Sequence, residues 1–261
     1  MSNFFVALCA SCMTLNLHSF LKISYHSLTP FAALSFLLVF SYYNFQRIYL
    51  WKRKLYSSEN LYLVWLQNNF RTLMLFSFFL ILILFYFSQE LIFLNFYFLI
   101  TTGIVSVMYF IPLFSIRKIY FLKPVFIAFF WTLITVIFPI YKLSEHIAFE
   151  DVLFALSQFC FVLVLAVLFD IRDVEHDRKS GTLTLPVKFS VKTIKEYSYL
   201  FVFLYAIFLP NSFEKNVITT AIMIFILTIV IARSDSKNKN SYFLFWVDGC
   251  MLFQFVIFSI F

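Results

Sequence analysis

Hydrophobic residues run along this chain in long blocks, and charge falls mainly between the blocks. A helix needs about 20 apolar residues to cross the hydrocarbon core of a bilayer. Runs of that order predict nine membrane-spanning helices, near residues 3–21, 28–49, 70–88, 91–113, 124–141, 152–169, 197–210, 216–232 and 242–261. The seventh run is short. Nine spans take roughly 180 residues, which leaves no room for a separate soluble domain in a chain of 261. Residues 1–261 are therefore expected to form one all-α polytopic membrane bundle.

The loops between these runs differ sharply in charge. Those on the N-terminal side hold 17 of the 20 basic residues, from Arg47, Lys52 and Arg53 through Arg117, Lys118 and Lys123 to Lys239, and the opposite side holds only Lys22, Lys142 and Lys215. Basic loops stay in the cytosol, so the N-terminus is expected inside and the C-terminus across the membrane. A bacterial inner (plasma) membrane is the expected location. Adding or removing one span would scramble the alternation.

Composition agrees: 62% of residues are hydrophobic and 13% charged, with 40 Phe against 3 Gly and a mean hydropathy of +0.91. Soluble domains are about 45–50% apolar and about 25% charged. That excludes a water-soluble globule, and disorder requires low hydrophobicity. The net charge of +7 is explained by membrane orientation, so nucleic acid is not an expected partner. Cys9, Cys12, Cys160 and Cys250 all lie in apolar stretches. The CxxC of Cys9 and Cys12 has no second pair and no histidine cluster, and reads as membrane-packed small residues. No basic residue precedes the first apolar run, which argues against a cleaved signal peptide.

Four of the 13 acids fall within D-I-R-D-V-E-H-D, positions 170–177, directly after the apolar run that ends at Phe169. On a helix Asp170, Asp173 and Asp177 lie within about 60° of one another, and Glu175 points roughly 140° away from Asp170. Like charges at this spacing repel, so a cation must compensate. Carboxylates without thiol or imidazole partners suit Mg²⁺, which shares its shell with substrate phosphates. An acidic stripe on the cytosolic rim of an apolar cavity suggests a substrate with a diphosphate head and an apolar tail. The plainer alternative is a solvated loop whose acids pair with Arg172, Arg178 and Lys179. His176 lies off the stripe and reads as a surface histidine.

The stretch 170–188, D-I-R-D-V-E-H-D-R-K-S-G-T-L-T-L-P-V-K, resembles the second aspartate motif of the UbiA prenyltransferase superfamily: DxxDxxxD, then a glycine (Gly181), then Thr184-Leu185-Pro186-Val187. A weaker similarity covers Tyr109, Arg117, Lys118, Lys123, Pro124, Trp131 and Pro139. The resemblance implies a nine-helix bundle with a central cavity open to the cytosol. It also implies a membrane transferase that moves an isoprenyl group from a prenyl diphosphate to an aromatic or other lipophilic acceptor. Asp170, Asp173 and Asp177 would hold Mg²⁺ and the diphosphate. Tyr109, Arg117, Lys118 and Lys123 would bind substrate, although the basic residues also satisfy the positive-inside rule without one.

The first family motif, roughly NDxxDxxxD, is degenerate. Asn44 fits the leading Asn, but Phe45, Ile48 and Lys52 occupy the acidic positions. Arg47 either binds phosphate directly as an always-charged, bidentate guanidinium, or snorkels at the interface, or belongs to a protein that has drifted to a non-catalytic role. Asp248, about six residues inside the last span, is costly there. It either supplements the missing acids near substrate or pairs with a neighbouring helix.

Three other classes compete. A transporter favours Gly- or Pro-broken helices with mid-membrane charge; only Gly103 and Gly249 fall in spans, and most acids lie at the rim. A CDP-alcohol phosphotransferase would need DG and AR between its aspartates, which 170–177 lacks. A non-catalytic UbiA-like protein that binds a lipid or partner is the stronger alternative.

Overall fold

The computed structural model describes residues 2–52, 70–110, 122–179, 183–209 and 214–260. Among these residues the fold is all helical. The elements are α1 (Ser2–Leu15), α2 (Leu17–Leu21), α3 (Tyr25–Lys52), α4 (Phe70–Leu94), α5 (Phe96–Phe110), α6 (Leu122–Thr132), α7 (Phe138–Leu143), α8 (Phe149–Lys179), α9 (Leu185–Lys188), α10 (Val191–Phe208), α11 (Glu214–Arg233), α12 (Asn240–Tyr242) and α13 (Gly249–Ile260). Two π-helical turns, Leu133–Ile137 and Phe243–Val247, join α6 to α7 and α12 to α13.

Within the described residues all nine apolar runs fall on helices, but fewer meet the requirements of a span. Among the described residues five helical stretches are long and apolar enough: Asn3–Leu21, Tyr25–Phe45, Leu122–Leu143, Phe149–Glu175 and Asn240–Ile260. A sixth arises if Phe78–Leu94 and Phe96–Ser106, bent by 104° at Asn95, count as one broken span. The third and fourth predicted spans are thus halves of a bent pair. The seventh and eighth are shortened by charge: α10 carries Lys192, Lys195 and Glu196 in its first two turns, and the apolar part of α11 is only Val217–Arg233.

α8 is the axis of the bundle. It packs against α6 on one side and α10 on the other, while α1 lies along α3 and α13. Residues Phe161–Leu168 of α8 are all buried. An apolar sequence gives no hydrophobic drive for helices to associate inside lipid, so small polar contacts fix their register. Ser11 donates to the Ala32 carbonyl at 2.8 Å, and the hydroxyls of Thr14 and Ser35 meet at 2.9 Å, both between α1 and α3. Deeper in the bundle, Asn16 Nδ2 donates to Gln254 Oε1 at 3.1 Å, and Gln254 Nε2 donates to the Tyr205 hydroxyl at 3.0 Å. These three side chains are fully buried and tie the α1–α2 junction to α13 and α10.

Gln254→Ala should remove both links and leave Asn16 and Tyr205 without them. The expected cost is about 1–3 kcal/mol, read as a lower melting temperature in detergent, with Gln254→Glu intermediate.

Candidate active site

α8 begins well and ends badly in electrostatic terms. Glu150 and Asp151 lie in its first turn, where the helix dipole favours negative charge. Asp151 Oδ2 also accepts the Ala148 N–H at 2.8 Å. At the other end Asp177 lies in the last turn, near the negative pole of the same helix, where carboxylates are disfavoured, and Asp170 and Asp173 lie one to two turns before it. α6 has the complementary fault, with Lys123 in its first turn. The two faults cancel where α6 and α8 pack.

Lys123 Nζ contacts Asp170 Oδ1 directly and lies 4.0 Å from Asp177 Oδ2. Asp170 and Asp177 are 1% and 3% exposed, and Lys123 is also buried. Asp173 is not part of this pair. It faces Arg172, which donates Nε–H to Asp173 Oδ1 at 2.7 Å and an Nη2 hydrogen to Oδ2 at 2.9 Å. Both of these side chains remain about one-third exposed. The stripe is therefore divided: two carboxylates share an internal ammonium, and the third holds a guanidinium. Arg172 lies over the rings of Phe169 and Phe243, at 4.8 and 5.7 Å from their centroids.

The donor set can be tested against Mg²⁺. Asp170 Oδ2 is fully buried and has no hydrogen-bond partner among the described residues. Among the same residues no group of three or more acidic, histidine or cysteine side chains is placed to hold a metal. Mg²⁺ commonly takes one or two carboxylates and completes its shell with water and substrate phosphates. Asp170 and Asp177 fit such a two-carboxylate seat, but not an all-protein cage. Lys123 now supplies the cation that they require.

Other predicted residues gather nearby or fall outside the description. Asn44 Oδ1 accepts from Asn3 Nδ2 at 2.8 Å, and Asn44 Nδ2 has no partner among the described residues. Arg47 lies on α3 and Tyr109 on α5, but their side chains are outside the described set. Arg117, Lys118 and Gly181 lie outside the described residues altogether. Thr184, buried with its hydroxyl unpartnered among the described residues, precedes α9, whose Pro186 is buried and which packs against α8. Asp248 is buried and within electrostatic reach of Arg172. Tyr43 joins this group: it lies within electrostatic reach of Asp248 and Arg172 and near the Trp131 indole. Sequence reasoning gave Tyr43 and Asn3 no role. The available signal was position alone, Tyr43 adjoining Asn44 and Asn3 lying on the neighbouring helix. All four cysteines are buried and free.

The UbiA prenyltransferase family model matches residues 67–248, well over half of the chain. The match contains the 170–188 stretch, ends at Asp248 and begins after the degenerate segment at 44–52. No curated protein and no solved structure gives a significant match.

Lys123→Met should strand Asp170 without its cation. Breaking a buried pair from one side costs about 3–5 kcal/mol, and a large fall in melting temperature in detergent is expected. Adding Asp170→Asn to that variant should recover part of the loss.

Proposed function

The chain belongs to the UbiA prenyltransferase family, and from that premise we propose that it is a Mg²⁺-dependent transferase of an isoprenyl group from a prenyl diphosphate to an aromatic or other lipophilic acceptor. It is an integral membrane protein; the inner-membrane location and cytosolic N-terminus belong to the proposal and rest on the asymmetry of basic loops. The observation that carries the reading is the buried pair of Asp170 and Asp177 on Lys123. Two carboxylates of this kind, at the end of a membrane-spanning helix, suit a polar head that arrives with its own cation.

In this reading Asp170 and Asp177 would hold Mg²⁺ at the diphosphate, and Asp173 completes the motif by fixing Arg172. Bound there, Mg²⁺ supplies Lewis-acid neutralisation of the leaving diphosphate. Lys123 is the nearest described cation and turns from carboxylate to phosphate oxygens as the diphosphate binds. The Asn44 amide donor, without a partner among the described residues, serves the same head. Arg47, Arg117 and Lys118 add positive charge, and Tyr109 contributes to binding. Positive groups aimed at the leaving group act where charge develops, which is the usual source of large rate gains. The C1–O bond then breaks in a dry aromatic surrounding, and each favourably placed ring stabilises the allylic cation by about 0.5–2 kcal/mol.

A second reading has its own observation. Phe45, Ile48 and Lys52 stand where the family motif carries acids, so a non-catalytic UbiA-like protein that binds a lipid or partner is the alternative. Pyrophosphate release by the reconstituted protein, given geranyl diphosphate, Mg²⁺ and a panel of acceptors, separates the two. The transferase releases pyrophosphate and forms product. A binding protein retains geranyl diphosphate and releases nothing.

Asp170→Asn, Asp177→Asn and Asp173→Ala should each lower pyrophosphate release by at least about 100-fold. Chelation with EDTA should abolish it, and restored Mg²⁺ should return it. Undiminished Mg²⁺-dependent transfer by Asp173→Ala would remove that residue from the site.

A further inference from the structure

We propose that Asp248 receives the proton that an aromatic acceptor gives up as it gains the isoprenyl group. The inference rests on the transferase reading and extends it to the second substrate. The last span reaches Asp248 through a π-helical turn, closed by the Asp248 N–H donating to the Phe243 carbonyl at 3.0 Å. A π turn holds one residue more than an α turn and so rotates the helix beyond it, and such turns recur at functional sites. Here it divides the helix abruptly: Phe245 and Trp246 are exposed, whereas Val247 to Met251 are all buried. Asp248 is thereby brought to the interior.

Its main chain is fixed. The Asp248 carbonyl accepts the Cys9 thiol at 3.3 Å and the Met251 N–H at 3.1 Å. Its carboxylate is different: 7% exposed, it takes no hydrogen bond from any described side chain. A carboxylate inside a membrane bundle is costly and usually finds a partner or a functional role. Around it stand Arg172 and Tyr43. Arg172 is locked by its two bonds to Asp173 and by its position over Phe243, the first residue of the π turn. Arg172 thus faces both Asp173 and Asp248, and Asp248 is not part of the cluster of Asp170, Asp177 and Lys123. A buried carboxylate outside that cluster is left for the other substrate.

Atoms and electrons balance across the step. The donor C1–O bond breaks, and its pair leaves on the diphosphate. The new bond to C1 takes its pair from the acceptor ring. The ring carbon that has gained the isoprenyl group passes its proton to an Asp248 carboxylate oxygen, and the C–H pair returns to the ring.

The test is Asp248→Asn in the full chain, reconstituted with Mg²⁺, geranyl diphosphate and either hydroquinone or its ring-deuterated form. Acceptor-free release of pyrophosphate should fall far less than prenylation does. Prenylation of hydroquinone should fall about 100-fold or more, the range for a lost general base, and a primary isotope effect should appear. Asp248→Glu should restore part of the rate. The inference is overturned if Asp248→Asn prenylates hydroquinone normally. It is equally overturned if prenylation and acceptor-free release fall together with no isotope effect, the mark of a structural role. Wild-type protein that releases pyrophosphate but never prenylates hydroquinone overturns this inference alone; one that releases none overturns the transferase reading with it.

Discussion

An ammonium and two carboxylates, all nearly out of water, set the conditions at one end of this bundle. Two of the charges are placed against the grain of their own helices: Lys123 sits in the first turn of α6 and Asp177 in the last turn of α8. Neither arrangement is tolerable alone, since burying an ion costs several kcal/mol before any partner is found. Together they hold α6 against α8 and keep two carboxylate groups concentrated in a small volume. A solvated loop would not have to tolerate that arrangement. The division of the stripe has the same cause, because one lysine serves two neighbouring acids and Asp173 takes Arg172 instead.

Elsewhere the interior relies on short polar contacts. Lipid tails are as apolar as leucine, so burying more Phe and Leu does little to choose one helix arrangement over another. The choice falls to groups such as Thr14 with Ser35, and Asn16 with Gln254 and Tyr205. The π turns at Leu133–Ile137 and Phe243–Val247 add to this. Each alters the facing of the helix beyond it, and α1 packs against both. One of them turns Asp248 inward.

The spacing of Asp170, Asp173 and Asp177 was legible because helical periodicity places them on one arc, and the Thr-Leu-Pro-Val segment made the resemblance specific. The separation of Asp173 from the other two was not legible. It depends on which cation reaches which carboxylate, and Lys123 lies 47 positions upstream of Asp170. Tyr43 carried no sequence signal, because its relevance arises only when α3 meets α6 and the last span. Nine apolar runs were legible, whereas among the described residues five or six helices have the length and apolarity of a span. Hydropathy along a chain measures apolar length, and it is blind to the break at Asn95 and to the charged first turns of α10.

The sequence by itself determined that this chain is helical and lives in a bilayer. Long uncharged runs must satisfy their backbone hydrogen bonds internally, and a helix does this within a single segment. It also determined that acids cluster at one end of one helix, since that is a matter of local spacing. Only the tertiary structure decided which charges neutralise one another and that Asp248 enters the interior without a hydrogen bond from any described side chain. Those outcomes depend on contacts between helices distant in the chain, and burial determines the energy of an ion more strongly than its neighbours in sequence do.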